Sequence, residues 1–102
     1  MAIPSLAALA AEILDELGST QATIADRVTT WSHAGRVFAA LGPLGIEIQL
    51  EPAIAVAAAR TPDTGPSPRG PEWVRFNPRE MDGHAADRLR AWLELAHRRA
   101  TR

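Results

Sequence analysis

Apolar side chains return every three or four positions at Leu6, Leu9, Ala10, Ile13 and Leu17, the spacing of one helical face. Ser5 ahead of the run is a good N-cap and Gly18 behind it a C-terminal stop, so a helix is predicted over Leu6–Leu17. Glu12, Asp15 and Glu16 fall off the stripe and read as a solvated face, since no histidine or partner carboxylate is local. Residues 23–31 are β-branched and mixed in polarity and read as one strand. After the turn Ser32-His33-Ala34-Gly35, residues 36–41 read as a second. Residues 46–50 then alternate cleanly, with Ile46, Ile48 and Leu50 on one side and Glu47 and Gln49 on the other, as a sheet packed on one face requires. Short turns between consecutive strands imply an antiparallel meander.

Pro52, preceded by Glu51, suits a first helical position and opens a short alanine-rich helix through residue 60. Residues 61–71 carry four prolines and two glycines and read as a stiff loop. Residues 72–76 form a fourth strand, with Trp73 and Arg75 on one face and Val74 and Phe76 on the other. A last helix runs from Asp82 to about Arg99, with Ala85, Leu89, Trp92, Leu93 and Ala96 as its apolar stripe. Arg90, Glu94 and Arg98 stand four apart and are expected to pair along its outer side. The expected architecture is a single α+β domain over residues 1–102, an antiparallel sheet of about four strands in the order α-β-β-β-α-β-α.

Composition limits the core. Twenty of the 102 residues are alanine and all eleven basic residues are arginine. Alanine contributes little apolar area, so a dimer that pools two cores suits so modest an interior. Arginine without lysine, together with heavy alanine use, suggests a GC-rich bacterial source. The opening residues lack a basic n-region and their apolar run is broken by acids, which predicts a cytoplasmic protein without a membrane span. Absence of cysteine removes disulfides, thiol redox chemistry and cysteine-ligated zinc.

Chemistry-bearing motifs are sparse. His33, His84 and His97 make no ligand set by spacing. Glu94-x-x-His97 matches half of a di-iron motif, but the second copy and the further helical glutamates are missing. Ser32 and His33 are adjacent and would point to opposite faces of a strand. Gly65 and Gly70 have P-loop spacing, yet Pro71 replaces the lysine and Pro66 and Pro68 remove amide donors. These readings predict a non-catalytic protein with neither metal nor cofactor. The surface beside the proline-rich loop is the expected partner site, with Asp63, Arg69 and Trp73 as its residues, because a rigid loop loses little entropy on binding. Burial is the expected state of the Trp73 indole. Its partner would be a protein or a small molecule.

Charge is uneven although the net value is −1. Residues 1–60 carry three arginines against six acids, and residues 77–102 carry six arginines against four. The basic end keeps a second reading open, weak nucleic-acid binding through Arg88, Arg90, Arg98, Arg99 and Arg102.

Gly35-Arg36-Val37-Phe38-Ala39-Ala40-Leu41, the alternating 46–50 strand, Glu51-Pro52, Arg69-Gly70-Pro71-Glu72-Trp73-Val74 and a final helix with Ala91-Trp92 and Ala96-His97-Arg98-Arg99 together resemble the MmcQ/YjbR-like family of small bacterial domains over residues 28–100. TfoX N-terminal-like domains and the small luciferase-family domain share parts of the layout. The resemblance implies an α+β fold like that of type III secretion chaperones, a helix on an antiparallel sheet, with no catalytic residues; members are often labelled DNA-binding. The chain departs from the pattern in residues 23–33 and in its slightly acidic balance.

Overall fold

The computed structural model describes residues 3–102 and contains three helices and one six-stranded antiparallel sheet. The first helix, α1 (Leu6–Leu17), forms where periodicity places it. The Ser5 side chain accepts from the Ala8 amide at 3.2 Å, and Gly18, at φ +70°, returns its N–H to Leu14. Leu9, Ala10, Ile13 and Leu14 are its buried face. A cap of this kind stabilises a helix by roughly 1 kcal/mol.

The next four strands are β1 (Gln21–Ala25), β2 (Val28–His33), β3 (Arg36–Gly42) and β4 (Gly45–Gln49), each antiparallel to its predecessor. Helix α2 (Pro52–Ala58) then carries the chain across, and β5 (Thr64–Ser67) and β6 (Gly70–Phe76) return as a hairpin whose second strand pairs with β4. The resulting order is β1-β2-β3-β4-β6-β5. Helix α3 (Gly83–Ala100) closes the fold, with the Asp82 carboxylate accepting from the Ala85 amide at 2.9 Å.

Six strands replace the expected four, and both additions have local causes. Residues 23–31 are not one strand, because the chain reverses at Asp26 and Arg27, whose φ values of +51° and +65° are left-handed. Two consecutive left-handed residues make the turn that matches hairpin twist, but it is signalled in sequence by Asn-Gly or Asp-Gly rather than Asp-Arg. The proline-rich stretch 61–71 is likewise no simple loop. Asp63, at φ +62°, turns the chain into β5, which pairs with β6 despite Pro66. A four-residue edge strand tolerates a proline that an interior strand would not. Helix α2 ends at Ala58, two residues before the expected Arg60.

All three helices supply the same core. Ile13 and Leu14 of α1, Leu89, Trp92 and Leu93 of α3, and Ala55 and Ala58 of α2 meet Trp31, Phe38, Ala39, Ile46, Ile48, Val74 and Phe76 from the sheet. Every residue of the expected α3 stripe is buried. Trp92 stands edge-on to Phe76, ring centroids 5.2 Å apart, an arrangement worth about 0.5–1.5 kcal/mol beyond its buried area. Between β2 and β3 the register shifts, so that Trp31 faces Ala39 and Ser32 faces Val37. The unpaired residue of this bulge, Phe38, is thereby also buried, edge-on to His97 of α3. Arg90 does not pair along α3 as expected; it reaches Glu16 of α1 at 3.2 Å and so ties the two helices together.

Candidate functional site

Because the helices share one face of the sheet, the opposite face has no helix over it. Strand register places Thr23, Thr30, Ala40, Glu47, Arg75 and Gly65 in one row across all six strands of that face. Gln49 and Trp73 form the neighbouring pair. Ala40 is only 1% exposed here, flanked by Thr30 and Glu47.

A cleft opens on this face where the Pro43-Leu44 turn between β3 and β4 approaches the Pro68-Arg69 turn between β5 and β6. Val28, Gly42, Leu44 and Pro68 give it apolar walls, and Glu47, Arg69 and Arg75 give it charge. Leu44 is 67% exposed at its rim. The Glu47 carboxylate accepts a short hydrogen bond from the Ser67 hydroxyl and pairs with Arg69 Nε at 3.2 Å. The Arg69 amide donates to Ser67 Oγ at 3.1 Å, and its guanidinium lies 5.3 Å from the centre of the Trp73 ring. Glu47, Ser67, Arg69 and Trp73 therefore form one connected network that fixes the β5–β6 turn against β4.

Arg75 stands directly across from Glu47 in the β4–β6 pairing yet makes no ion pair among the described residues. Both oxygens of Glu47 are already engaged, Oε2 by Ser67 and Oε1 by Arg69. Arg75, a half-buried residue beside apolar walls, is left with hydrogen-bond donors to spare, and its fork geometry suits a carboxylate or phosphate.

The three residues expected at a partner site do not all converge. Arg69 and Trp73 come together in the network just described, but Trp73 is half-buried rather than fully buried, and it does not line the cleft. Asp63 lies at the other end of the β5–β6 hairpin. Its carboxylate accepts from the Arg79 amide at 3.3 Å and faces Arg79 Nε at 3.6 Å, and its carbonyl accepts from Asn77. Glu47, Ser67 and Arg75 were missed from the sequence. The alternation of residues 46–50 already sent Glu47 away from the core, but its alignment with Arg75 depends on β4 pairing with β6 across the intervening α2 and β5.

The five arginines of the basic end are spread over different partners. Arg88 donates to the Pro62 carbonyl at 2.7 Å and lies 4.8 Å from the centre of the Phe76 ring. Arg90 holds Glu16, Arg99 bonds the Leu50 carbonyl and Glu72, and Arg102 reaches Glu51 at 3.0 Å. Arg98 is exposed and has no such partner among the described residues.

His33 and His97 each contact a backbone carbonyl, of Ser19 and Gly18 respectively, while His84 lines a separate cleft with Asp63 and Arg88 at the start of α3. Among the described residues no three acidic or histidine side chains gather as a metal site, and no helix is long and apolar enough to cross a membrane. Comparison of the chain with protein families, curated proteins and solved structures finds no match.

Proposed function

We propose that the chain is a non-catalytic binding module acting in the cytoplasm. It would use the helix-free sheet face and the cleft between the Pro43-Leu44 and Pro68-Arg69 turns to hold a partner segment that presents a carboxylate next to an aliphatic side chain. The observation that carries this reading is Arg75, a guanidinium without an ion-pair partner beside Val28 and Leu44. Apolar walls with a few convergent polar groups are the ordinary composition of a ligand site, and of the three charged side chains here Glu47 and Arg69 pair with each other while Arg75 is left over. The network of Glu47, Ser67, Arg69 and Trp73 holds one wall in place, which lowers the ordering cost of binding. An antiparallel sheet with helices on one face also agrees with the resemblance to MmcQ/YjbR-like domains, which we carry as part of the proposal. Nucleic-acid binding has less to stand on, because four of the five arginines it would use already hold groups of the chain itself.

The test is a titration of the ¹⁵N-labelled protein with acetyl-Leu-Glu-amide, followed by amide chemical shifts, with acetyl-Leu-Gln-amide as the uncharged control. Shifts are expected at Val28, Leu44, Glu47 and Arg75, with affinity about tenfold weaker for the control peptide or for Arg75→Gln. Equal binding of both peptides, no shifts, or shifts confined to the helical side would overturn the proposal.

A further inference from the structure

The two edges of the sheet are unlike. The β5 edge is four residues long and carries Pro66, the usual protection of an edge against another strand. The β1 edge, Gln21-Ala22-Thr23-Ile24-Ala25, has no proline, no charge and no bulge, and all five residues are exposed. Ile24 is 78% exposed, the most of any large apolar side chain among the described residues.

The hairpin geometry decides what this edge offers. In a two-residue hairpin the closing pair, here Ala25 and Val28, exchanges hydrogen bonds, and such pairs alternate along the ladder. Ala25, Thr23 and Gln21 therefore turn their amides and carbonyls towards β2, and those of Ala22 and Ile24 point off the sheet. Two copies of this edge are self-complementary. If they run antiparallel about a two-fold axis at Thr23, Ala22 of each copy faces Ile24 of the other as a hydrogen-bonded pair, giving four inter-chain bonds. Thr23 then meets its own copy as the non-bonded pair between them.

Side chains and charge support the same register. Ala22 and Ile24 lie on the helix side, opposite Trp31 and Thr29. Near the Ala22 end, Ala11, Glu12 and Asp15 of α1 line an open cleft with Ala22 and Trp31. Near the other end, Arg27 lines a second cleft beside Leu6 on the same side of the sheet. Antiparallel pairing puts the Arg27 end of one copy against the acidic end of the other, twice by symmetry. Neither Arg27, Glu12 nor Asp15 has an ion-pair partner among the described residues.

We infer that β1 is a dimerisation edge. Two copies join through antiparallel β1–β1 pairing centred on Thr23 into one twelve-stranded sheet, each Ile24 entering the other copy's cleft and each Arg27 facing the other's Glu12 and Asp15. Isologous contacts of this kind close on themselves and leave no further open β1 edge. The surface is distinct from the Arg75 cleft, so the two proposals stand or fall separately.

The experiment is light scattering on the whole chain, with cysteine cross-linking to read the register. The expected mass is twice the 11.0 kDa of one chain. Ile24→Glu is expected to give monomer with an unchanged far-UV spectrum. Arg27→Glu is expected to raise the dimer dissociation constant about tenfold, and Glu12→Arg with Asp15→Arg in the same chain to restore it. The chain has no cysteine, so Thr23→Cys provides a single reporter. Non-bonded antiparallel pairs bring Cα atoms to roughly 4.5 Å, within disulfide reach. Thr23→Cys should cross-link to completion on oxidation, whereas Gln21→Cys, displaced along the strand from its own copy, should not. A wild-type chain still monomeric at about 0.5 mM, a dimer indifferent to Ile24→Glu, or equal cross-linking at the two positions would overturn the inference. So would binding of β1 to a different protein with no self-association.

Discussion

His97 Nε2 lies 2.7 Å from the carbonyl oxygen of Gly18, seventy-nine positions earlier in the chain. The contact joins the last turn of α3 to the residue that stops α1. One residue on, His33 Nδ1 lies 2.7 Å from the carbonyl of Ser19. Ser19 is itself left-handed, at φ +56°, so two histidines donate to consecutive carbonyls at the strained link between α1 and β1. His97→Ala should lower stability to urea by about 1–3 kcal/mol, since it leaves a partly buried carbonyl without its donor and removes a ring from beside Phe38. His97→Gln, which retains a donor, should recover part of that loss. The more exposed His33→Ala should cost about 0.5–1 kcal/mol. Equal effects at the two positions would contradict this reading of the link.

Arg88 is expected to behave as a structural residue. It donates to the Pro62 carbonyl and lies over Phe76 and Trp92, at 4.8 and 5.9 Å from their ring centres. Arg88→Ala should destabilise by about 1–3 kcal/mol through the lost carbonyl contact and the lost packing of the long side chain. Arg98→Ala, on the exposed side of the same helix, should stay within about 0.5 kcal/mol. Thermal unfolding of the two variants side by side reads the difference.

The turn between β2 and β3 has room for improvement. Ala34 and Gly35 have φ values of +50° and +80°, a geometry that strongly prefers Asn-Gly. Ala34→Asn should therefore raise stability by about 0.5–1 kcal/mol. Ala34→Val, β-branched at a left-handed position, should lower it. Denaturant midpoints with unchanged slopes would measure both.

Two glycines should respond in opposite ways to alanine. At Gly45, where φ is +113°, a Cβ would come 2.5 Å from the Phe76 carbonyl oxygen and 2.8 Å from the Asn77 Cβ. Gly45→Ala should cost about 2–4 kcal/mol or prevent folding. At Gly65 a Cβ would meet nothing within 4 Å and the backbone is not left-handed. Gly65→Ala should be neutral or stabilising by up to about 1 kcal/mol. Calorimetric melting of both variants tests the contrast.

Elements whose signals lie within a few residues were legible in the chain. Ser5, Gly18 and the stripe between them mark α1 because caps and helical periodicity act over one or two turns, and Asp82 with Ala85 to Ala96 marks α3 in the same way. The alternation of residues 46–50 sent Ile46 and Ile48 inward and Glu47 outward, as observed. Two hairpins were hidden. Asp26-Arg27 adopts a left-handed turn that its side chains do not advertise, and Pro66 argues locally against the strand it occupies. In each case pairing with a neighbouring strand outweighs local preference, because several ladder bonds are gained for one strained turn or one missing amide.

The residues in and around the candidate cleft divide along the same line. Arg69 and Trp73 were visible as large, chemically capable side chains beside a stiff segment. Asp63 was visible for the same reason, but folding carries it to the far end of the hairpin. Glu47, Ser67 and Arg75 became a group only when α2 carried the chain across and β6 paired with β4, since cross-strand register relates residues tens of positions apart and no periodicity of a single strand contains it. Alternation determines which face a side chain takes; the order of the strands determines which side chains it meets there.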